Sequence, residues 1–320
     1  MKSVNDIVRD VETLLDDPSG AKQVAAVVEY LERLIALEDD RLEQLPGIRR
    51  RKGMLFFSTT GKLLRPKATL DVRINGRFVG DVALSDDGAR TFRPAKEWRG
   101  DWPRGERIDW ADPRVLGFLR ARERDLPRKD LEAKVQSALF HAMRQKRGPK
   151  KLEELRHNQP VQMARQPFQF PLPIAASGAT PMVAKAPALG HADILARGHA
   201  GHRIKVFEIK RRGGDARHAL AQGVAYAAAI QRLLTVSAVT YRALGFRKAR
   251  SRAPRFEVWA FVHEDDVGEV LASGKDLVVA NDHYDLHVLT YRLEGDQPLT
   301  LGAPIAVGKA QSKAGSRRAS

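Results

Sequence analysis

The run from Arg203 to Glu264 constrains the fold more than any other part of the chain. "RIKVFEIKR" (203–211) alternates apolar and polar residues, "DARHALAQGVAYAAAIQRLL" (215–234) reads as a helix of about 216–234, and "RFEVWAFVHE" (255–264) returns to a strand pattern. A strand, a helix and a strand in succession call for a layered α/β fold. Upstream, "GHADILAR" (190–197) reads as the hairpin partner of 203–211 across Gly198–Gly201. "FQFPLPIAA" (168–176) is an earlier strand, weakened by Pro171 and Pro173. Before these, "RKDLEAKVQSALFHAMRQK" sets Leu131, Val135, Ala138, Leu139 and Ala142 on one helical face. Asp215 stands where a helix cap is expected, and "LVVAND" and "LHVLTYRLE" add strands near the end. The order from about 130 to 263 is therefore α-β-β-β-α-β.

The first hundred residues follow other patterns. Val4, Ile7, Val8, Val11, Leu14 and Leu15 recur at helical spacing after Ser3, a cap-forming residue. Val24, Val27, Val28, Leu31, Leu34 and Ile35 mark a second helix over about 20–44, ended by Pro46-Gly47, so a helical hairpin is expected. A basic stretch, "IRRRKG" (48–53), leads to a β-rich module reaching about residue 98, with Asn75-Gly76 as its hairpin signal. Residues 99–127, with a short helix from Pro113 to Arg124, read as a junction. The expected division is 1–110, a helical and β-rich region of unassigned role; 111–300, the α/β domain; and 301–320, a basic tail without apolar periodicity.

Charge narrows the partner. The chain has 320 residues with 55 Lys and Arg against 39 Asp and Glu, a formal net charge of +16, which suits a polyanion such as DNA. The absence of cysteine excludes disulfides, iron–sulfur clusters and thiol nucleophiles, and fits a cytoplasmic setting. The N-terminal segment is amphipathic and acidic, unlike a signal peptide, and no run approaches the roughly 18 apolar residues of a membrane span. No Gly-rich phosphate loop with its lysine occurs, so no ATP-driven motor is expected within these residues.

Chemistry concentrates in the strand 203–211. Alternation puts Ile204, Val206, Glu208 and Lys210 on one face, and a hairpin partner would bring Asp193 beside Glu208. Two adjacent carboxylates repel unless a cation lies between them, and such oxygen ligands suit Mg²⁺ or Mn²⁺. Lys210 would supply positive charge where a water is oriented or charge develops on a phosphate. The plain alternative is a structural Glu–Lys ion pair, and the same acid-x-Lys spacing recurs at Glu132-Ala133-Lys134. On the following helix Gln222 and Tyr226 stand four apart and share a face with His218. They offer either contacts to a nucleic acid or the polar border of a closely packed helix. His191, His199, His202 and His218 are irregularly spaced and read as surface histidines rather than zinc ligands, while "HEDD" (263–266) reads as a helix start.

Gly190-x-x-Asp193, Glu208-x-Lys210 and Gln222-x-x-x-Tyr226 resemble the motif series of RecB-like nucleases, within the PD-(D/E)XK superfamily. The resemblance covers roughly 130–265; residues 1–110 lie outside it, and Asp193 follows Ala instead of the superfamily's Pro. It implies a restriction-endonuclease-like α-β-β-β-α-β core and a Mg²⁺-dependent deoxyribonuclease in DNA repair, restriction or defence against foreign DNA. Asp193, Glu208 and the Ile209 carbonyl would hold the metal, with Glu132 as the helix-borne acid. Lys210 would be the catalytic lysine, and Asp193 and Glu208 would share its catalytic role. Gln222, Tyr226, Arg211 and Arg212 would contact the nucleic acid, and a helicase or other protein partner could engage residues 1–110. The alternative is a binding protein that keeps the fold without the chemistry.

Overall fold

The computed structural model describes residues 2–38, 55–58, 69–74, 77–85, 89–100, 102–103, 105–125, 135–136, 139, 143, 158–160, 170–177, 180–184, 190–198, 203–246, 254–277, 283–292 and 300–307. Glu132, the Asn75-Gly76 turn, His199, His202, most of "LVVAND" and the basic tail beyond 307 lie outside them.

Two helices open the chain, α1 (Val4–Asp16) and α2 (Pro18–Glu38). Ser3 caps α1 with a reciprocal box: its hydroxyl accepts from the Asp6 amide, and the Asp6 carboxylate accepts from the Ser3 amide. Pro18 begins α2 where a missing N–H costs nothing. Val4, Ile7, Val11 and Leu15 of α1, with Val27, Tyr30 and Leu31 of α2, are buried. They belong to the core of the large sheet described below.

A small antiparallel sheet follows in the order β1 (Leu55–Ser58), β2 (Thr69–Ile74), β3 (Arg77–Leu84), β4 (Arg90–Pro94) and β5 (Ile108–Asp109). Val72, Val82, Phe92, Ile108 and Trp110 form a separate core, closed by Val115 and Leu119 of α3 (Pro113–Asp125). The cores thus divide the chain differently from the expected boundary near 110. The hairpin joins the α/β core because its apolar stripe needs a large surface, and α3 stays with the small sheet.

The large sheet is mixed, in the order β15 (Thr300–Leu301), β14 (Tyr284–Arg292), β13 (Arg255–His263), β12 (Arg203–Ile209), β11 (Ile194–Gly198) and β6 (Asn158–Pro160), with β16 (Ile305–Val307) also pairing β14. β12, β13 and β14 run parallel, and β11 is antiparallel to β12. The crossover from β12 to β13 is made through α4 (Ala219–Val236) and the short α5 (Ala238–Ala243). Every residue of α4 from Ala219 to Ile230 is buried, the signature of a helix apolar on all sides and covered on all sides. Ile204, Val206, Val258 and Ala260 face α4. Phe207, Ile209, Trp259 and Phe261 form the opposite face, where helical residues Val135, Leu139 and Met143 are buried. The protein is therefore a mixed α/β structure. Among the described residues no helix is long and apolar enough to cross a membrane.

Several elements differ from expectation. The strand expected over 168–176 breaks at Pro173 into β7 (Phe170–Leu172) and β8 (Ile174–Ser177), the latter pairing with β9 (Thr180–Val183). The strand expected over 190–197 breaks at Asp193 into β10 (Gly190–Ala192), which pairs with β7, and β11, which pairs with β12. Asp215 does not cap with its side chain, which pairs with Arg217 instead, and α4 is entered through a 3₁₀ turn at Ala216–His218. "HEDD" does start a helix: a turn at Glu264–Asp266 leads into α6 (Val267–Leu277).

Candidate active site

The break at Asp193 builds the site. A residue between two strands that pair with different neighbours is free of ladder geometry, so its side chain can turn along the sheet instead of across it. Asp193 Oδ2 accepts the amide of Ile209 at 2.8 Å, at the end of β12. The Asp193 carbonyl is held in turn by Gln136 Nε2 at 2.9 Å. The bend also depends on Gly190: a Cβ there would stand 1.5 Å from the Ile174 carbonyl oxygen, so β10 could not lie against β8 with any larger residue.

Glu208 follows from alternation. Ile204 and Val206 lie in the core beneath α4, and Glu208, two residues on, takes the same direction with 5% exposure. Gly223 lets α4 lie close over this part of the sheet: a Cβ at 223 would meet Val258 Cγ1 at 2.4 Å, with Glu208 Cβ at 4.0 Å in ordinary contact. Lys210 leaves the end of β12 and returns its ammonium to Glu208 Oε1 at 2.8 Å. This charge-assisted bond offsets part of the cost of burying the carboxylate. The Lys210 backbone is held as well, its amide donating to the Phe261 carbonyl at 2.9 Å and its carbonyl accepting from Tyr291 Oη at 3.0 Å.

Gln222 and Tyr226 are both 7% exposed, so they stand behind the acids and not on an open surface. Gln222 Nε2 donates to the Ala176 carbonyl at 2.8 Å, fixing β8 over α4. The Tyr226 hydroxyl is pushed to higher pKa first by burial and then by the negative charges of Glu208 and Asp193; a hydrogen bond with the Ala176 backbone opposes the shift in part. Three residues widely separated in sequence therefore share one electrostatic environment. His218 is only partly buried, with Nε2 3.9 Å from Asp215 Oδ1.

The loop after β12 carries the two arginines. Arg211 is exposed, and Arg212, also exposed, pairs with Asp265 at 2.7 Å. The Gly213 amide donates to Asp266 Oδ2 at 3.1 Å, so the acids of "HEDD" brace this loop. Glu264 takes two bonds from Arg292, at 2.6 and 2.9 Å, which tie the turn before α6 to the end of β14.

Asp193, Glu208 and the adjoining Ile209 peptide thus offer hard oxygen donors. The Ile209 amide points to Asp193, and in an extended strand a residue's carbonyl shares the direction of its amide. Such a set fits Mg²⁺ or Mn²⁺, which keep several waters and need few protein oxygens. Among the described residues no group of three or more His, Cys, Asp or Glu gathers, and Glu132 lies outside them. Gln136, four residues after the candidate acid Glu132, reaches the Asp193 carbonyl, and Tyr291 is the neighbour to which local sequence reasoning assigns no role, since strand register alone brings it here. In comparisons with protein-family models, curated proteins and solved structures, nothing matches the chain.

Proposed function

We propose that the protein is a divalent-metal-dependent nuclease that hydrolyses DNA phosphodiester bonds, in DNA repair, restriction or defence against foreign DNA. The observation that carries this reading is the meeting of Asp193, the Ile209 peptide, Glu208 and Lys210 at the end of β12, backed by Gln222 and Tyr226. The described order, helical residues at 135, 136, 139 and 143, β strands, α4 and β13, is compatible with a restriction-endonuclease-like core.

A Mg²⁺ or Mn²⁺ held by Asp193, Glu208 and the Ile209 carbonyl would supply a water polarised for attack and charge to offset that of the phosphate. The chain's own residues set the geometry. Asp193 is oriented by the Ile209 amide, and Glu208 by Lys210. On this reading the Lys210 ammonium would offset negative charge developing on a phosphoryl oxygen. Tyr226 remains protonated because burial and both acids disfavour the phenolate. Arg211 and Arg212 lie on the adjoining loop, and with the net charge of +16 they suit salt-sensitive backbone contact.

The test is cleavage of linear, circular and single-stranded DNA with Mg²⁺, Mn²⁺ or EDTA, using wild type and Asp193→Ala. Metal-dependent products from wild type alone are expected. DNA binding that persists with no products under any metal would replace this reading with that of a binding protein.

A further inference from the structure

Lys210 lies one residue beyond the last residue of β12, where the sheet ladder no longer dictates its backbone. Its amide is still fixed by the Phe261 carbonyl of β13. Its carbonyl is fixed from farther away: Tyr291 reaches from β14, the next strand over, and donates its hydroxyl at 3.0 Å. Tyr291 is 1% exposed and belongs to the face opposite α4. Its ring lies 5.0 Å from that of Phe261 and meets His263 edge-on at 5.4 Å, so the phenol has little freedom to swing away. His263 is itself held, its Nδ1 accepting the Asp265 amide at 3.3 Å. A phenylalanine would satisfy the packing of this face. The hydroxyl adds a desolvation cost that a specific partner repays, and the Lys210 carbonyl is such a partner.

We propose that Tyr291 is a positioning residue that sets the Lys210 backbone, and through it the ammonium beside Glu208. The proposal rests on the nuclease reading only for its kinetic consequence; the positional claim stands on the geometry. Losing the hydroxyl leaves the ammonium attached but lets the 210–214 segment drift, and a displaced charge loses transition-state stabilisation while contacts to the rest of the DNA persist.

The experiment compares wild type with Tyr291→Phe by DNA cleavage in Mg²⁺ and by backbone hydrogen exchange in the full chain. The expected result is a fall in kcat of about tenfold with KM unchanged. Faster exchange should be confined to peptides spanning 209–214, with peptides of 255–263 unaltered. Wild-type kcat together with wild-type exchange would overturn the proposal, as would a uniform rise in exchange across the sheet, which marks the hydroxyl as merely structural. A wild type that cleaves nothing would overturn the nuclease reading, while selective exchange in Tyr291→Phe would still uphold the positional claim.

Discussion

Asp81 in the small sheet and Glu208 in the large one are both strand carboxylates, 4% and 5% exposed, yet their surroundings differ in kind. Asp81 receives two guanidiniums, Arg93 at 3.1 Å on one oxygen and Arg107 on the other, and Arg107 also donates to the Thr91 carbonyl at 3.1 Å. That cluster closes on itself. Glu257, on the face of the large sheet away from α4, is closed likewise by Arg203, Lys205 and the Trp259 indole. Glu208 pairs with Lys210 at 2.8 Å, and its negative charge acts on Tyr226 together with that of Asp193. Cations that surround an acid compensate its burial, whereas two acids whose charges fall on one phenol add to the same negative field.

The comparison breaks or sharpens under substitution. Glu208→Gln should lower cleavage by about a thousandfold with the smaller loss of melting temperature, since it breaks the Lys210 pair, whereas Glu257→Gln breaks pairs with both Arg203 and Lys205. Glu257→Gln should do the reverse, leaving cleavage intact and costing about 3 kcal/mol, because Lys205 stays largely buried beside a neutral partner. Equal losses of stability in the two variants would erase the distinction; denaturant melts measure it. Gly223→Ala should cost about 1–3 kcal/mol and reduce cleavage as well, since a methyl group against Val258 pushes α4 away from Glu208.

Acid sharpens the contrast further. Burial opposes ionisation of Glu257, but hydrogen bonds from Lys205 and Arg203 outweigh it and hold the carboxyl below its ordinary value of 4.5. A group with a lowered folded pKa contributes stability above the unfolded value and loses it as pH falls through the folded one. Stability should therefore decline below about pH 4.5, and less steeply in Glu257→Gln, as read from melting temperature against pH. The smallest effect belongs to Ser3→Ala, which removes one bond of the α1 cap and should cost about 1 kcal/mol with cleavage unchanged.

Much of this was legible in the residues, for identifiable reasons. The alternation of 203–211 placed Ile204, Val206 and Glu208 on one face, where the structure has them, because a strand's period of two is local. The alanine-rich run 215–234 announced a helix, whose burial only the structure shows, and Ser3 announced its own cap. The break at Asp193 was not legible. "GHADILAR" alternates well enough for one strand, and only the competing pairing of β10 with β7 shows that it serves two sheets. The apolar stripe of the first helices likewise announced burial without naming the surface that receives it. Gln222 and Tyr226 were legible as a pair on one face, but their attachment to Ala176 depends on a strand some fifty residues earlier (the hydrogen bond spans 46 positions).

By itself the sequence determined the element types, the net charge of +16 and the faces on which Glu208 and the helical stripes lie. These follow from backbone periodicity and side-chain polarity, which act within a few residues. Only the tertiary structure decided that Asp193 turns to the end of β12, that α4 can approach as closely as Gly223 allows, and that Tyr291 reaches the Lys210 carbonyl from β14. Such meetings depend on strand register and on the packing of elements far apart in the chain, and no local pattern encodes them.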